Sequence, residues 1–384
     1  MSASVDNFLF LCRCLSVDDS PAALSALQKE ICTGDLDWRQ IAELAADHFL
    51  TPALWVSLSR KRLESHLPED ARDFLHYVHG LNVERNGALR AEVVRIAASL
   101  NELGVEPILL KGAINLFDSA YGDFGARMMM DIDIMIPETE IARALAPLER
   151  LGYRPVGEGA WKAHTYSALC RPGANWSLDV HRYLGYQRDI VAPADVGHEA
   201  VPLESHGVRL LAPSPTHRVF HNFYHAQLQN RQHALGLFPF MQLCDFAALG
   251  RYHREAIDWA WLRTSAQRHG MALALEAYVH LAVELFGFAR PSEILESFRA
   301  KLHLRRCLAQ LRHPAVLSVV RHWDALTYPF NAQHLNAYYD CGTNRVVINF
   351  FRLRMLYYII RRNRWQIRGR IGELWRFGSP GQPR

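Results

Sequence analysis

Two aspartates, one residue apart in an apolar segment, are the residues best suited to chemistry. Residues 128–136 read MMMDIDIMI and carry Asp131 and Asp133. Side chains alternate between the two faces of a β-strand, so both carboxylates would project from one face and the isoleucines from the other. Neighbouring carboxylates on an apolar strand repel each other and resist burial. This predicts a compensating divalent cation, Mg²⁺ or Mn²⁺, because such cations prefer oxygen ligands.

A second segment supplies a third carboxylate. Residues 176–183 read WSLDVHRY, and in a strand Asp179 and His181 would share one face. A third aspartate on a neighbouring strand would complete a site able to hold two metals. An isolated D-x-D pair is also common at solvated strand edges, but the second aspartate-bearing strand favours the metal site. His181 could line this site or be an ordinary, partly buried histidine.

Strand and helix patterns alternate around these segments. Residues 105–110 form an apolar run that enters the Lys111–Gly112 turn, and Pro107 predicts that the strand starts late or lies at a sheet edge. Residues 138–151 show helical spacing that ends at Gly152. Strands separated by a helix within about 100 residues indicate a compact α+β core with a small mixed sheet.

Helical patterns flank this core on both sides. Asp37 and Asp258, each followed by tryptophan, predict helix N-caps. The helical spacing of residues 89–103 is closed by Gly104. The sequence therefore predicts an N-terminal helical region at 1–103, an α/β core at 104–212 and a C-terminal helical domain with a basic tail at 213–384.

An ordered set of short motifs resembles a known family. The motifs are Leu110-Lys111-Gly112, Tyr121, Arg127, the Asp131 and Asp133 pair, Leu151-Gly152-Tyr153 and Leu178-Asp179-Val180-His181. Together with the flanking helical patterns, they resemble a largely uncharacterised bacterial branch of the DNA polymerase β-like nucleotidyltransferase superfamily. The resemblance covers roughly residues 35–290.

The resemblance implies a metal-dependent enzyme that moves a nucleoside monophosphate from an NTP such as ATP to a hydroxyl acceptor and releases pyrophosphate. It implies catalytic and metal-binding roles for Asp131, Asp133 and Asp179. It implies nucleotide-binding roles for Lys111, Gly112, Arg127 and His181.

One position departs from the superfamily pattern. Ala113 stands where a serine or a glycine usually follows the turn glycine, so a serine hydroxyl that would contact the triphosphate is missing. Lys111 could supply the phosphate contact instead, because an ammonium group is a competent phosphate binder. For Arg127 the alternative to phosphate binding is an ion pair with one of the aspartates.

The sequence leaves the acceptor and some alternatives open. A small molecule, a glycan, a peptide or an RNA end could accept the nucleotide, and the resemblance implies tailoring of a natural product or polysaccharide. One alternative is a catalytically inactive binding or regulatory protein with this fold. Another is a toxin-like nucleotidyltransferase that acts on tRNA or protein.

Three histidines and a basic segment have two interpretations each. His217, His221 and His225 are spaced four apart and could bind zinc, but no metalloprotease glutamate accompanies them, so structural or cleft-lining roles are favoured. Residues 345–384 contain ten arginines and one acidic residue. They could contact an anionic surface, a membrane or RNA, but a packed helix with solvated arginines is favoured.

Composition sets broad limits. The chain has 384 residues, of which 49% are hydrophobic and 21% charged, and a formal net charge of +4, as expected of a globular protein. Its seven cysteines show no C-x-x-C spacing, which disfavours zinc knuckles and a disulfide framework. No signal-peptide pattern or long apolar run is present, so we expect a cytoplasmic protein.

Overall fold

The computed structural model describes residues 5–33, 36–156, 161–162, 165–166, 168–185, 190–205, 207–331, 335 and 345–357. The chain divides into two compact units, Met1–Leu317 and Ser318–Arg384. The predicted boundaries at 103 and 212 fall inside the first unit and stay predictions.

The helices of the described residues, in chain order, are α1 (Val5–Leu15), α2 (Pro21–Thr33), α3 (Trp38–Asp47), α4 (Thr51–Arg60), α5 (Glu69–Asn101), α6 (Ile141–Arg150), α7 (Pro193–His198), α8 (Pro215–Tyr224), α9 (Gln232–Leu235), α10 (Phe240–Tyr252), α11 (Trp259–Arg268), α12 (Ala272–Phe286), α13 (Phe298–Arg312) and α14 (Pro314–Thr327). Short 3₁₀ helices span Glu64–His66, Lys111–Leu116 and Tyr328–Phe330, and a π-helical turn, His225–Gln229, follows α8.

The strands are β1 (Ile108–Leu109), β2 (Asp131–Met135), β3 (Arg154–Pro155), β4 (Trp161–Lys162), β5 (Thr165–Tyr166), β6 (Leu169–Cys170), β7 (Ser177–His181), β8 (Val201–Pro202) and β9 (Leu211–Ala212). They form a sheet in the order β3-β6-β7-β2-β1-β9-β8, with β5 pairing both β4 and β7. The β2–β7 and β1–β9 pairs are parallel and the β1–β2 pair is antiparallel. The predicted α+β class with a mixed sheet is confirmed.

The apolar faces of β2 and β7 determine how the central sheet packs. Ile132 and Ile134 of β2 and Leu178 and Val180 of β7 are buried in one hydrophobic cluster with the C-terminal half of α5. Burying these branched side chains on one face leaves the alternate positions, which carry the aspartates, on the other. The spacing in the sequence therefore fixes the face from which the carboxylates project.

A second hydrophobic cluster joins the two helical flanks. It contains residues from α1 to α4 together with residues from α8, α10, α11 and α12. Phe8 of α1 packs against Phe240 of α10 with ring centroids 4.8 Å apart. The backbone N–H of Val17 donates to the carbonyl of Phe286 at 2.8 Å. The helices before and after the sheet thus share one core.

Several local predictions are confirmed. The carboxylates of Asp37 and Asp258 accept hydrogen bonds from the backbone N–H groups three residues on, as N-caps do. The first strand starts at Ile108, after Pro107, whose carbonyl accepts from the N–H of Leu211. Gly104 has a φ of +75°, as expected of the residue that stops a helix.

The second unit is described for residues 318–331, 335 and 345–357. Residues 345–357 are helical, with Ile348 buried and Phe350, Leu353 and Tyr357 more than half exposed. The rest of the predicted basic tail, 358–384, lies outside the described residues. Among the described helices, none combines the length and the apolar character that crossing a membrane requires.

Candidate active site

Parallel pairing of β2 and β7 brings three aspartates together. Asp133 lies opposite Asp179 in the strand register, and Asp131 lies opposite Ser177. One carboxylate oxygen each of Asp131, Asp133 and Asp179 lies within 4.8 Å of the other two. The structure thus assembles the predicted catalytic and metal-binding set.

Asp133 is the most buried of the three, with 1% of its surface exposed. Its Oδ1 accepts hydrogen bonds from Lys111 Nζ at 2.6 Å and from His181 Nε2 at 2.7 Å. Burial opposes ionisation of Asp133, but the Lys111 ammonium and the His181 hydrogen bond outweigh it and hold the pKa well below its ordinary value. Asp133 is therefore ionised at neutral pH.

The pKa values of Asp131 and Asp179 are shifted in the other direction, upward. Burial first, and then the charge of Asp133, raise the pKa of both carboxyls above the ordinary value. Oδ1 of Asp179 is buried and accepts no hydrogen bond from the described residues. An unsatisfied carboxylate oxygen beside two others is a donor set that fits a hard divalent cation such as Mg²⁺ or Mn²⁺.

The turn after β1 places Lys111 over the carboxylates. Lys111 has a φ of +48°, in the left-handed region that non-glycine residues rarely adopt. Gly112 packs so closely on Met129 that a Cβ there would lie 2.7 Å from Met129 Cγ. Both predicted turn residues thus border the site, and it is Lys111 that carries the unusual backbone conformation.

His181 lies elsewhere than the prediction of a nucleotide contact requires. It is 1% exposed and sits behind Asp133, with Nε2 directed at that carboxylate. A side chain so buried is out of reach of a nucleotide in this structure. The alternation of strand faces identified His181 as a neighbour of the aspartates, but the pattern could not show its depth.

Arg127 forms an ion pair, but not with the predicted aspartates. Its Nε lies 2.9 Å from both carboxylate oxygens of Asp245 on α10. The hydroxyl of Tyr121 donates to Asp245 Oδ1 at 2.6 Å. This network ties the segment before β2 to the C-terminal helices.

A cavity of about 300 Å³ adjoins the carboxylates, between the turn, the segment leading to β2, and helices α8 and α10. Its lining includes Lys111, Gly112, Arg127 and Asp131 from the turn and the β2 region, and His221, Asn222, His225, Gln242 and Asp245 from α8, the π-helical turn and α10. The cleft-lining interpretation of His221 and His225 is confirmed. His217 instead packs on Trp261, with ring centroids 5.5 Å apart.

Sequence reasoning assigned no site role to Asn222, Gln242 or Asp245. They come to the cavity from helices more than 80 residues after β2. The only local sign of a role for these residues was that the helical segments around them resemble those of the family. Their recruitment depends on how the helices pack.

A mixed sheet carrying an aspartate pair, a third aspartate on the parallel neighbour and a Lys-Gly turn before them is the arrangement of a nucleotidyltransferase core. Residues 34–287 match the model of a family described as uncharacterised nucleotidyltransferases, and the chain belongs to this family. The predicted family resemblance is confirmed.

The chain was also compared with curated proteins and with solved structures. A search of curated proteins found no match. Among solved structures, the chain is similar to the antibiotic-resistance factor ANT(2'')-Ia, with 16% sequence identity and a TM-score of 0.36. That similarity covers 51% of this chain and 98% of the other.

Proposed function

We propose that this chain is a divalent-metal-dependent nucleotidyltransferase that moves a nucleoside monophosphate from an NTP to a hydroxyl acceptor and releases pyrophosphate. The observation that carries the proposal is the cluster of Asp131, Asp133 and Asp179 within 4.8 Å, beside Lys111 and a partly open cavity. Carboxylates are costly to bury together, so their grouping indicates a cationic ligand.

The three aspartates would hold Mg²⁺ or Mn²⁺. When bound, such an ion neutralises phosphate charge and stabilises the leaving pyrophosphate. The acceptor oxygen attacks the α-phosphorus, the bond from that phosphorus to the bridging oxygen breaks, and the acceptor proton passes to a carboxylate. Asp179 lies opposite Asp133 on the neighbouring strand, and its carboxylate oxygen that is not used for the ion is the candidate for that base.

The neighbouring residues prepare the cluster for a triphosphate. Lys111 neutralises Asp133 and borders the cavity, so its ammonium is available to phosphate oxygens that approach the metal site. Gly112 lets the turn pack against Met129 beside the cavity, which holds Lys111 near the carboxylates. We assign Arg127 to orienting the cavity wall through Asp245, and His181 to positioning Asp133.

The acceptor belongs to the same proposal. The cavity volume of about 300 Å³ is in the range of small-molecule sites, which supports a small molecule as acceptor. Tailoring of a natural product or polysaccharide agrees with such an acceptor.

The proposal is tested by thermal unfolding with each of the four NTPs, with and without Mg²⁺. A ligand that binds only the folded state raises the melting temperature by mass action. We expect an Mg²⁺-dependent rise with at least one NTP, lost in Asp131→Asn and kept in Asp47→Asn, an exposed aspartate at the end of α3. No rise with any NTP, or the same rise in Asp131→Asn, would contradict the proposed function.

A further inference from the structure

The two walls of the cavity differ in chemistry. The wall near the sheet carries Lys111 and Asp131, which face the metal and phosphate chemistry of the proposed function. Another part of the lining, from α8 and the π-helical turn, carries the imidazoles of His221 and His225, one helical turn apart. Burial, reinforced by the nearby Lys111 ammonium, lowers the pKa of His225 to about 3 and that of His221 well below its ordinary value. This wall is therefore polar and uncharged at neutral pH.

His221 has a buried polar atom with no protein partner. Its side chain is 4% exposed, and Nε2 forms no hydrogen bond with any described residue. Leaving such a buried atom unsatisfied destabilises the folded protein. Because His221 lines the cavity, a hydrogen-bonding group of a bound molecule is a suitable partner for it.

The charged groups around this wall are already paired within the described part of the chain. Arg127 binds Asp245. Arg218 donates to Asp118 at 2.6 Å. Each arginine thus has a carboxylate partner, and Asp245 also accepts from Tyr121, so these charges are balanced within the wall. The wall thus offers hydrogen bonds rather than net charge.

We propose that the wall formed by His221 and His225 is the acceptor subsite, and that it binds a neutral, hydroxyl-rich small molecule of the sugar or cyclitol class. The neutral imidazoles offer both donors and acceptors, as hydroxyl groups require. The inference rests on the proposed function, because an acceptor subsite presupposes nucleotide transfer at the carboxylates.

The test measures pyrophosphate release with Mg²⁺ and the NTP that gives the largest thermal shift. The probes are methyl α-D-glucopyranoside and myo-inositol as neutral polyols, and a short RNA and a phosphoserine peptide as anionic comparisons. The variant is His221→Leu. The matched control is His217→Leu, one turn earlier on α8, equally buried and outside the cavity lining. His221→Asn, which keeps a donor and an acceptor, serves if the leucine variant does not fold.

We expect a neutral polyol to raise pyrophosphate release in the wild type. His221→Leu should raise the KM for that polyol about tenfold, the equivalent of one lost hydrogen bond. The NTP-induced thermal shift should be unchanged, His217→Leu should behave as wild type, and His221→Asn should recover part of the affinity.

Four results would overturn the inference while leaving the proposed function standing. They are stimulation by the anionic probes alone, no stimulation by either polyol, an unchanged KM in His221→Leu, and loss of the NTP shift in that variant, which would assign the wall to the nucleoside. Absence of any Mg²⁺-dependent NTP shift in the wild type would instead remove the proposed function, and this inference with it.

Discussion

At the scale of residues, three aspartates are given two different ionisation behaviours by their neighbours. Burial and the charge of Asp133 raise the pKa of Asp131 and Asp179. Lys111 and His181 overcome the effect of burial at Asp133 and lower its pKa. Removing these charges should therefore change the stability of the metal-free protein in opposite directions.

We expect Asp131→Asn to raise, and Asp133→Asn to lower, the free energy of unfolding without metal. The first change removes a repelled carboxylate; the second leaves Lys111 without its anionic partner, which costs about 3 kcal/mol. Urea unfolding in EDTA measures both effects. A raised folded-state pKa destabilises the fold fully above that pKa and not at all below the unfolded-state pKa, so the gain in Asp131→Asn should shrink as the pH falls through the folded-state value and vanish below the ordinary value. Equal effects of both variants would contradict this electrostatic assignment.

His181 gives a separate prediction, because it acts through Asp133. His181→Asn should lower Mn²⁺ affinity about tenfold or more, as loss of a hydrogen bond behind a metal ligand commonly does. His217→Asn is the control, a comparably buried histidine away from the carboxylates. Unaltered Mn²⁺ affinity in a folded His181→Asn variant would show that its role is only structural.

At the scale of elements, the segment before β2 is held to α10 by one carboxylate. Asp245 accepts from Tyr121 and pairs with Arg127. Arg127 lies four residues before Asp131 and lines the cavity. Its ion pair with Asp245 therefore holds the part of the cavity lining next to Asp131. The geometry of the site therefore depends on a helix more than 100 residues further along the chain.

Asp245→Asn should destabilise the fold by about 3–5 kcal/mol, because it leaves the buried Arg127 guanidinium unpaired. Tyr121→Phe removes only the hydroxyl hydrogen bond and should cost about 1 kcal/mol. Denaturant unfolding compares the two. A similar cost for both would indicate that the ion pair contributes little.

The sequence was sufficient for the elements that carry strong patterns. The alternation around Asp131 and Asp133 predicted β2 and its buried face, and the N-caps at Asp37 and Asp258 were predicted from their positions alone. Strands of two residues, such as β3 and β8, have no periodicity to detect. Hydrophobic spacing also shows which face of a helix is buried but not against what, so the shared core of the flanks and the partner of Arg127 could not be predicted.

At the scale of the whole molecule, the first unit contains every residue to which we assign a site role. The helices before and after the sheet form one core, and the cavity lies between α8, α10 and the sheet. The second unit, Ser318–Arg384, contributes no lining residue to this cavity among its described positions.

Removal of residues 345–384 should therefore leave Mg²⁺-dependent NTP binding unchanged. The expected result is a thermal shift with NTP equal to that of the full chain, since the carboxylates, the turn and the cavity are retained. Loss of the shift in a truncated protein that still unfolds cooperatively would mean that the basic tail belongs to the site.

The measurement that tests the central claim most directly is Mn²⁺ binding followed by electron paramagnetic resonance, with an NTP analogue that cannot release pyrophosphate. Wild-type protein should bind Mn²⁺ more tightly with the analogue than without it. Asp131→Asn and Asp179→Asn should each weaken that binding at least tenfold, while Asp47→Asn should not change it. Equal Mn²⁺ binding in the wild type and both site variants would show that the three carboxylates do not form the metal–nucleotide site.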